Sequence, residues 1–212
     1  MDSSSALYRA ILNFAHSTPG WFQYLAEIWT ELGLLVFAAL FVVVWWRARG
    51  DSAASVAVAV LAPLATGVMY VASELFKSFI HEDRPCRAVA RAARPLVECP
   101  AVGDWSFPSN HSAIAGAAAV GLVLAWPRLA VFVAPMAVLM AFSRVFVGVH
   151  YPHDVLAGLL VGGIGAGLLV WGGARLAQGL IMSMRASSVG LLLWFAGPGG
   201  GQRGGRRARS LT

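Results

Sequence analysis

Apolar residues run in long blocks along most of the chain, and each block ends at a short cluster of polar or turn-forming residues. A helix needs about 20 apolar residues to cross a bilayer. Five segments, roughly 30–46, 53–76, 112–126, 129–142 and 155–171, are therefore expected to span. The shorter ones reach full thickness only if their ends extend into the flanking polar clusters. Ahead of them, 7–26 alternates apolar Leu7, Ile11, Leu12 and Phe14 with polar residues and adds Trp21, Phe22 and Tyr24. That pattern predicts an amphipathic helix at the membrane interface. Arg9, Asn13, His16, Gln23 and Glu27 speak against its being a sixth span. The late stretch 180–196 reads as a weak candidate, because Arg185 lies inside it.

Composition sharpens this picture. Hydrophobic residues make up 58% of the chain and charged residues 12%, against about 25% charged in a soluble domain. The expected fold class is thus all-α: a polytopic membrane bundle of five transmembrane helices with an N-terminal interfacial helix. One domain is expected over 1–196, followed by a disordered basic tail over 197–212. No basic stretch precedes an apolar core at the N-terminus, so a cleavable signal peptide is not expected. The tail arginines Arg203, Arg206, Arg207 and Arg209 suit contact with anionic lipid better than nucleic acid. Placing the end of the first span inside puts Arg47, Arg49, Arg128, Arg175 and the tail on the cytoplasmic side, as the positive-inside rule asks. The connections 81–105 and 143–153 then face outward.

With that topology the unusual polar residues gather at one membrane face. KSFIHEDRP closes the second span and supplies Lys77 and Arg84; FPSNH opens the third and supplies Ser109, Asn110 and His111. SRVFVGVHYPHD joins the fourth and fifth and supplies Ser143, Arg144, His150 and Asp154. Charged groups in a membrane protein are costly, and their convergence is a functional signal. Three cations suit the oxygens of a phosphoryl group in transfer, and a helix start at Ser109 favours an anion. Asp154, four residues after His150, can hold one ring nitrogen and leave the other free to attack. His111 is then available to protonate a leaving oxygen. Among the sequence motifs no Cys/His or multi-carboxylate cluster has metal spacing, so neither metal nor cofactor is expected.

In these blocks the chain resembles the type 2 phosphatidic acid phosphatase superfamily. That family's signature is Lys, six residues and Arg-Pro; then Pro-Ser-Gly-His; then Ser-Arg, five residues, His, three residues and Asp. Lys77, Arg84 and Pro85 match the first block, Pro108, Ser109 and His111 the second, and Ser143, Arg144, His150 and Asp154 the third. Asn110 departs from the usual Gly but keeps the backbone amide. The short chain, the aromatic N-terminal helix and the run SRVFVGVHYPHDVLAG look most like the bacitracin-resistance branch of undecaprenyl-diphosphatases.

The resemblance implies a bacterial plasma-membrane enzyme with its site on the extracytoplasmic side. His150 would attack the terminal phosphorus of undecaprenyl diphosphate, Asp154 would orient it, and His111 would serve the leaving group and then water. Lys77, Arg84, Ser109, Asn110 and Arg144 would hold the phosphate. A phosphatase for phosphatidate, phosphatidylglycerol phosphate or another polyprenyl phosphate is the alternative enzyme, and a lipid-phosphate transporter the non-enzymatic one. Vanadium haloperoxidases share such a pocket, but they are soluble. His81 and His153 fall outside the motif pattern and are expected at the solvated rim. Cys86 and Cys99 both fall in the outward loop, where a disulfide is expected and two free thiols are the alternative.

Overall fold

The computed structural model describes residues 3–199, all of them in helices, turns and connections without a strand. Eight α-helices follow in order: α1 (Ser3–Ser17), α2 (Gly20–Ala48), α3 (Ala53–Lys77), α4 (Pro85–Ala88), α5 (Asn110–Ala125), α6 (Ala130–Phe146), α7 (Pro152–Ala186) and α8 (Gly190–Ala196). Helices α2, α3 and α7, and α6 together with the helical turn that leads into it (Pro127–Phe146), are long and apolar enough to cross a membrane. Helix α5, of 16 residues, is shorter, about 24 Å at 1.5 Å per residue. Each of the five expected spans coincides with one of these helices, and each helix runs past its apolar block at one end or both.

Two expectations need correction. The stretch 7–26 is not one helix. It breaks at Thr18 and Pro19, where Thr18 Oγ1 and the Gln23 amide both donate to the carbonyl of Ala15, and residues from Gly20 on belong to α2. Proline fixes φ and has no N–H to continue a helix, so the chain turns there. The stretch 180–196 is likewise divided. Helix α7 continues through Arg175 and Arg185 to Ala186, and α8 starts afresh at Gly190. Helix α7 has 35 residues, about 52 Å, and outruns a hydrocarbon core of about 30 Å.

Helices α5 and α7 form the centre. Helix α5 presents Ala113, Gly116 and Ala117, and α7 presents Gly158, Gly162, Gly163 and Ala166, while Gly121 of α5 faces Ala62 of α3. Lipid tails are as apolar as leucine, so membrane helices associate through close packing, which small residues permit. The approach is close enough that a Cβ on Gly158 would lie 2.5 Å from the Ser109 carbonyl oxygen and 2.9 Å from Ser112 Cβ. Pro63 and Pro135 lie inside α3 and α6, where neighbouring helices make such breaks tolerable.

Helix α1 covers the loops at the site end. Its buried face carries Tyr8, Leu12 and Ala15. Two of the polar residues that argued against a span have partners in the long connection: Arg9 donates to the carbonyl of Ala90, and His16 Nε2 lies 2.8 Å from that of Arg94. Tyr8 Oη donates to the carbonyl of Gly148 at 2.9 Å, and Gly148 adopts φ +90°, which favours glycine. Burial first, then the neighbouring Tyr151, push the Tyr8 hydroxyl up to about 12, so it stays a donor. Cys86 and Cys99 are joined as a disulfide.

The opposite end is basic and aromatic. Arg47 lies over Trp126, and Arg49 over Trp45, Trp46 and Trp194. Arg185 donates to the carbonyls of Arg49, Asp51 and Ala196. In the expected tail, Gly197 N–H closes α8 on Leu193 and Gly199 N–H reaches Arg49. The arginines from Arg203 to Arg209 lie outside the described residues.

Candidate active site

Four helix ends converge at one face: the last turn of α3 brings Lys77, the first of α5 brings Asn110 and His111, the last of α6 brings Arg144, and the approach to α7 brings His150. Arg84 comes from the connection before α4. All six line one cavity, together with Tyr70, Glu74, Pro100, Asp104 and Ile114. Lys77, Arg84, Arg144 and His150 are each at least nine-tenths buried. That is an unusual concentration of buried charge for the end of a membrane bundle.

His150 is held from both sides. Its Nδ1 is 3.2 Å from Asp154 Oδ2, an oxygen that also accepts from the Ser106 hydroxyl and from the Tyr151 backbone N–H. Its Nε2 is 3.1 Å from Arg84 Nη1. A guanidinium has donors and no acceptor, so Nε2 accepts there and the ring proton sits on Nδ1, facing Asp154. Burial, with Arg84 and Arg144 nearby, outweighs the help from Asp154 and lowers the His150 pKa from 6.5 to about 4. The free site therefore holds a neutral imidazole with its Nε2 lone pair turned toward the cavity's cations.

Arg84 is fixed in turn by the carbonyls of Val149 and Asp104 and by the Asp104 carboxylate at 2.9 Å. Asp104 also reaches Lys77 at 3.2 Å. Burial raises the Asp104 pKa, but Arg84 and Lys77 outweigh it and the net shift is downward, so the group is ionised. Arg144 donates to Thr30 Oγ1 and meets Glu31 at 3.4 Å. Lys77 lies 3.5 Å from Glu74. Each cation thus faces an acidic neighbour in the free protein.

Several expected residues stand elsewhere. Ser109 is fully buried beneath the cavity; its N–H donates to the Asp154 carbonyl and its hydroxyl accepts from Ser112. Asp154 likewise stands behind His150. Ser143 points away, donating to the Met140 carbonyl and lying 3.1 Å from Thr30 Oγ1. Asn110 does line the cavity, but its side chain is engaged by Glu74 and Ser73. His153, expected at the rim, is half-exposed and bonded to Glu82 and Ser4. Glu31, Glu74, Asp104 and Ser106 escaped the sequence reading: isolated acidic or hydroxyl residues in polar connections read as solvated.

A membrane bundle with a buried cation cluster around an oriented, neutral histidine defines a class of protein built to handle phosphoryl groups. The comparisons give the family. The PAP2 superfamily model matches residues 52–176, more than half of the chain, and the chain belongs to that superfamily. It is similar to an undecaprenyl-diphosphatase of Sulfolobus acidocaldarius, 45% identical over 30% of this chain and 31% of that protein. It also resembles the undecaprenyl-diphosphatase BcrC of Bacillus subtilis, at 31% identity over 62% of this chain and 65% of the other. A solved PAP2-type phosphatidylglycerolphosphate phosphatase of Bacillus subtilis superposes with a TM-score of 0.59 and 25% identity, covering 82% of this chain and 88% of that one. The aligned stretch spans less than a third of the archaeal protein.

Proposed function

We propose that the chain is an integral membrane lipid phosphatase that releases phosphate from undecaprenyl or another polyprenyl diphosphate, recycling the lipid carrier of cell-wall synthesis in a bacterial plasma membrane. The observation that carries the reading is the setting of His150: Nδ1 3.2 Å from Asp154, Nε2 3.1 Å from the Arg84 guanidinium, and the cations Lys77, Arg84 and Arg144 around the same cavity. Nε2 attacks the terminal phosphorus, and the bond from that phosphorus to the bridging oxygen breaks. His111 supplies a proton to the departing lipid monophosphate. Water then attacks the phosphohistidine, giving up a proton to His111, and inorganic phosphate leaves with Nε2 restored. Lys77, Arg84, Arg144 and the Asn110 backbone amide hold the phosphoryl oxygens, Ser109 positions the start of α5, and Asp154 keeps the tautomer.

Three cations would stabilise the transferring group without Mg²⁺, so turnover is expected to survive EDTA. The relatives named as undecaprenyl-diphosphatases support the polyprenyl substrate. The structural relative, a phosphatidylglycerolphosphate phosphatase that pairs with most of this chain, supports a glycerophospholipid phosphate as the second reading. Phosphate release by the purified chain from undecaprenyl diphosphate, phosphatidylglycerol phosphate and phosphatidate, each with and without EDTA, tests both. A preference of tenfold or more for the prenyl diphosphate supports the first reading, and the reverse order overturns it. The site end is assigned to the extracytoplasmic side, because Arg47, Arg49 and Arg128 border the opposite end.

A further inference from the structure

Beside the cavity, three side chains from separate parts of the sequence meet. His153 Nε2 lies 3.0 and 3.1 Å from the two oxygens of Glu82 and 3.1 Å from Asp154 Oδ1. The three groups offer one ligand atom each within 4.8 Å of one another. A second observation concerns Asp154 alone. Its side chain is 0% exposed, and Oδ1 accepts no hydrogen bond among the described residues. A single proton on Nε2 can be given to Glu82, but it leaves that buried oxygen unmatched. A divalent cation would satisfy all three ligands at once.

We propose that Glu82, His153 and Asp154 form a binding site for a zinc-class divalent cation, and that its occupancy slows turnover. Zinc takes imidazole nitrogen and carboxylate oxygen together, and tetrahedral ligands at 2.0–2.1 Å stand about 3.3 Å apart, close to the 3.0 and 3.1 Å that separate His153 Nε2 from Glu82 and Asp154. The other ring nitrogen, Nδ1, is 2.6 Å from Ser4 Oγ, the outer hydrogen bond that fixes the tautomer of a metal-bound histidine. Phe107 and Tyr151 flank the ring, the latter stacked at 5.2 Å, which holds its plane. Glu82 and His153 are partly exposed, so an ion can reach them from the aqueous face. Imidazole favours zinc over Mg²⁺.

The consequence for turnover rests on the proposed role of Asp154. A cation on Oδ1 withdraws charge from the carboxylate whose Oδ2 faces His150 Nδ1, so the imidazolium-like charge of the attack loses its counter-ion. The ion is therefore inhibitory, and it has no part in the chemistry.

The test uses the purified full chain in detergent micelles, titrated with ZnCl₂ by calorimetry and, separately, assayed for phosphate release. One zinc per chain is expected, unaffected by millimolar Mg²⁺. Glu82→Gln and His153→Gln should each weaken binding more than about tenfold, and Ser4→Ala by roughly tenfold. Zinc-free turnover should stay within about threefold in these variants, and zinc should inhibit the parent with the midpoint seen by calorimetry and spare the variants. Absence of stoichiometric binding, or binding unchanged in Glu82→Gln and His153→Gln, overturns the site. Binding without loss of turnover, or equal inhibition of the variants, overturns the control of activity. Failure to hydrolyse any lipid phosphate would count against the proposed function, while calorimetry would still decide the site.

Discussion

Replacing Gly158 with alanine tests whether the α5–α7 contact sets the catalytic geometry. The new methyl carbon would stand 2.5 Å from the Ser109 carbonyl oxygen, 2.9 Å from Ser112 Cβ and 3.1 Å from the Ala113 nitrogen. Two of the three are backbone atoms and cannot swing aside. Real Cβ contacts start near 3.0 Å and become ordinary at 3.4 Å, so the helices must part by about 0.5–0.9 Å there. Gly158 lies four residues after Asp154, and Ser109 two residues before His111, so the strain falls between the two proposed catalytic groups. A misplacement of about 1 Å costs on the order of 10²-fold in rate. Gly158→Ala should therefore lower kcat by roughly 10–100-fold, with a stability loss of about 1–3 kcal/mol. Gly172→Ala and Gly179→Ala lie on the same helix with open space around them, and should leave turnover intact. Phosphate release in micelles, with circular dichroism and thermal unfolding on the same preparations, reads all three. Full activity in Gly158→Ala, or equal losses in the controls, would refute the reasoning.

Three further outcomes are expected. Asp104→Asn removes the carboxylate that lies against Lys77 and Arg84, so inorganic phosphate or vanadate should inhibit roughly 2–5-fold more tightly, a modest gain because Asp104 is half-exposed; unchanged or weaker inhibition contradicts it. Because the His150 pKa is depressed to about 4, its nucleophilic form persists well below the ordinary 6.5 and is lost only as pH falls through about 4. The acid limb of kcat/KM, corrected for ionisation of the substrate phosphate, should follow it; a limb at 6.5 would show a solvated histidine. Reducing the Cys86–Cys99 bond, which spans 13 positions, should lower stability by about 3 kcal/mol on the chain-entropy estimate, measured as a drop in the unfolding midpoint.

The membrane bundle was readable because its driving pattern is local: uninterrupted apolar blocks bounded by polar clusters. Helix ends were less so. Arg175 and Gln178 end the apolar run after Trp171, yet they continue α7 to Ala186, since a helix leaving the bilayer keeps its backbone bonds. Thr18-Pro19 carried the break between α1 and α2 in plain view, and aromatic content masked it. Motif spacing brought Lys77, Arg84, Asn110, His111, Arg144 and His150 to one cavity. It did not separate cavity-lining groups from those one layer behind, such as Ser109 and Asp154, nor foresee that Ser143 turns toward Thr30. The counter-charges Glu31, Glu74 and Asp104 lie 113, 3 and 20 or more positions from their cationic partners. Glu74 and Lys77 are neighbours along one helix, but only the fold reveals that Glu31 meets Arg144 and Asp104 meets Arg84 and Lys77. The meeting of Glu82 with His153, 71 positions apart, was hidden for the same reason.

The most direct measurement is to trap and locate the covalent intermediate. The chain is mixed with a ³²P-labelled lipid diphosphate, quenched in alkali within one turnover, digested and mapped by mass spectrometry. The account predicts an acid-labile, alkali-stable phosphate on His150, absent from His150→Ala and lost to water in the parent. Phosphate on another residue, or turnover retained by His150→Ala, would contradict it.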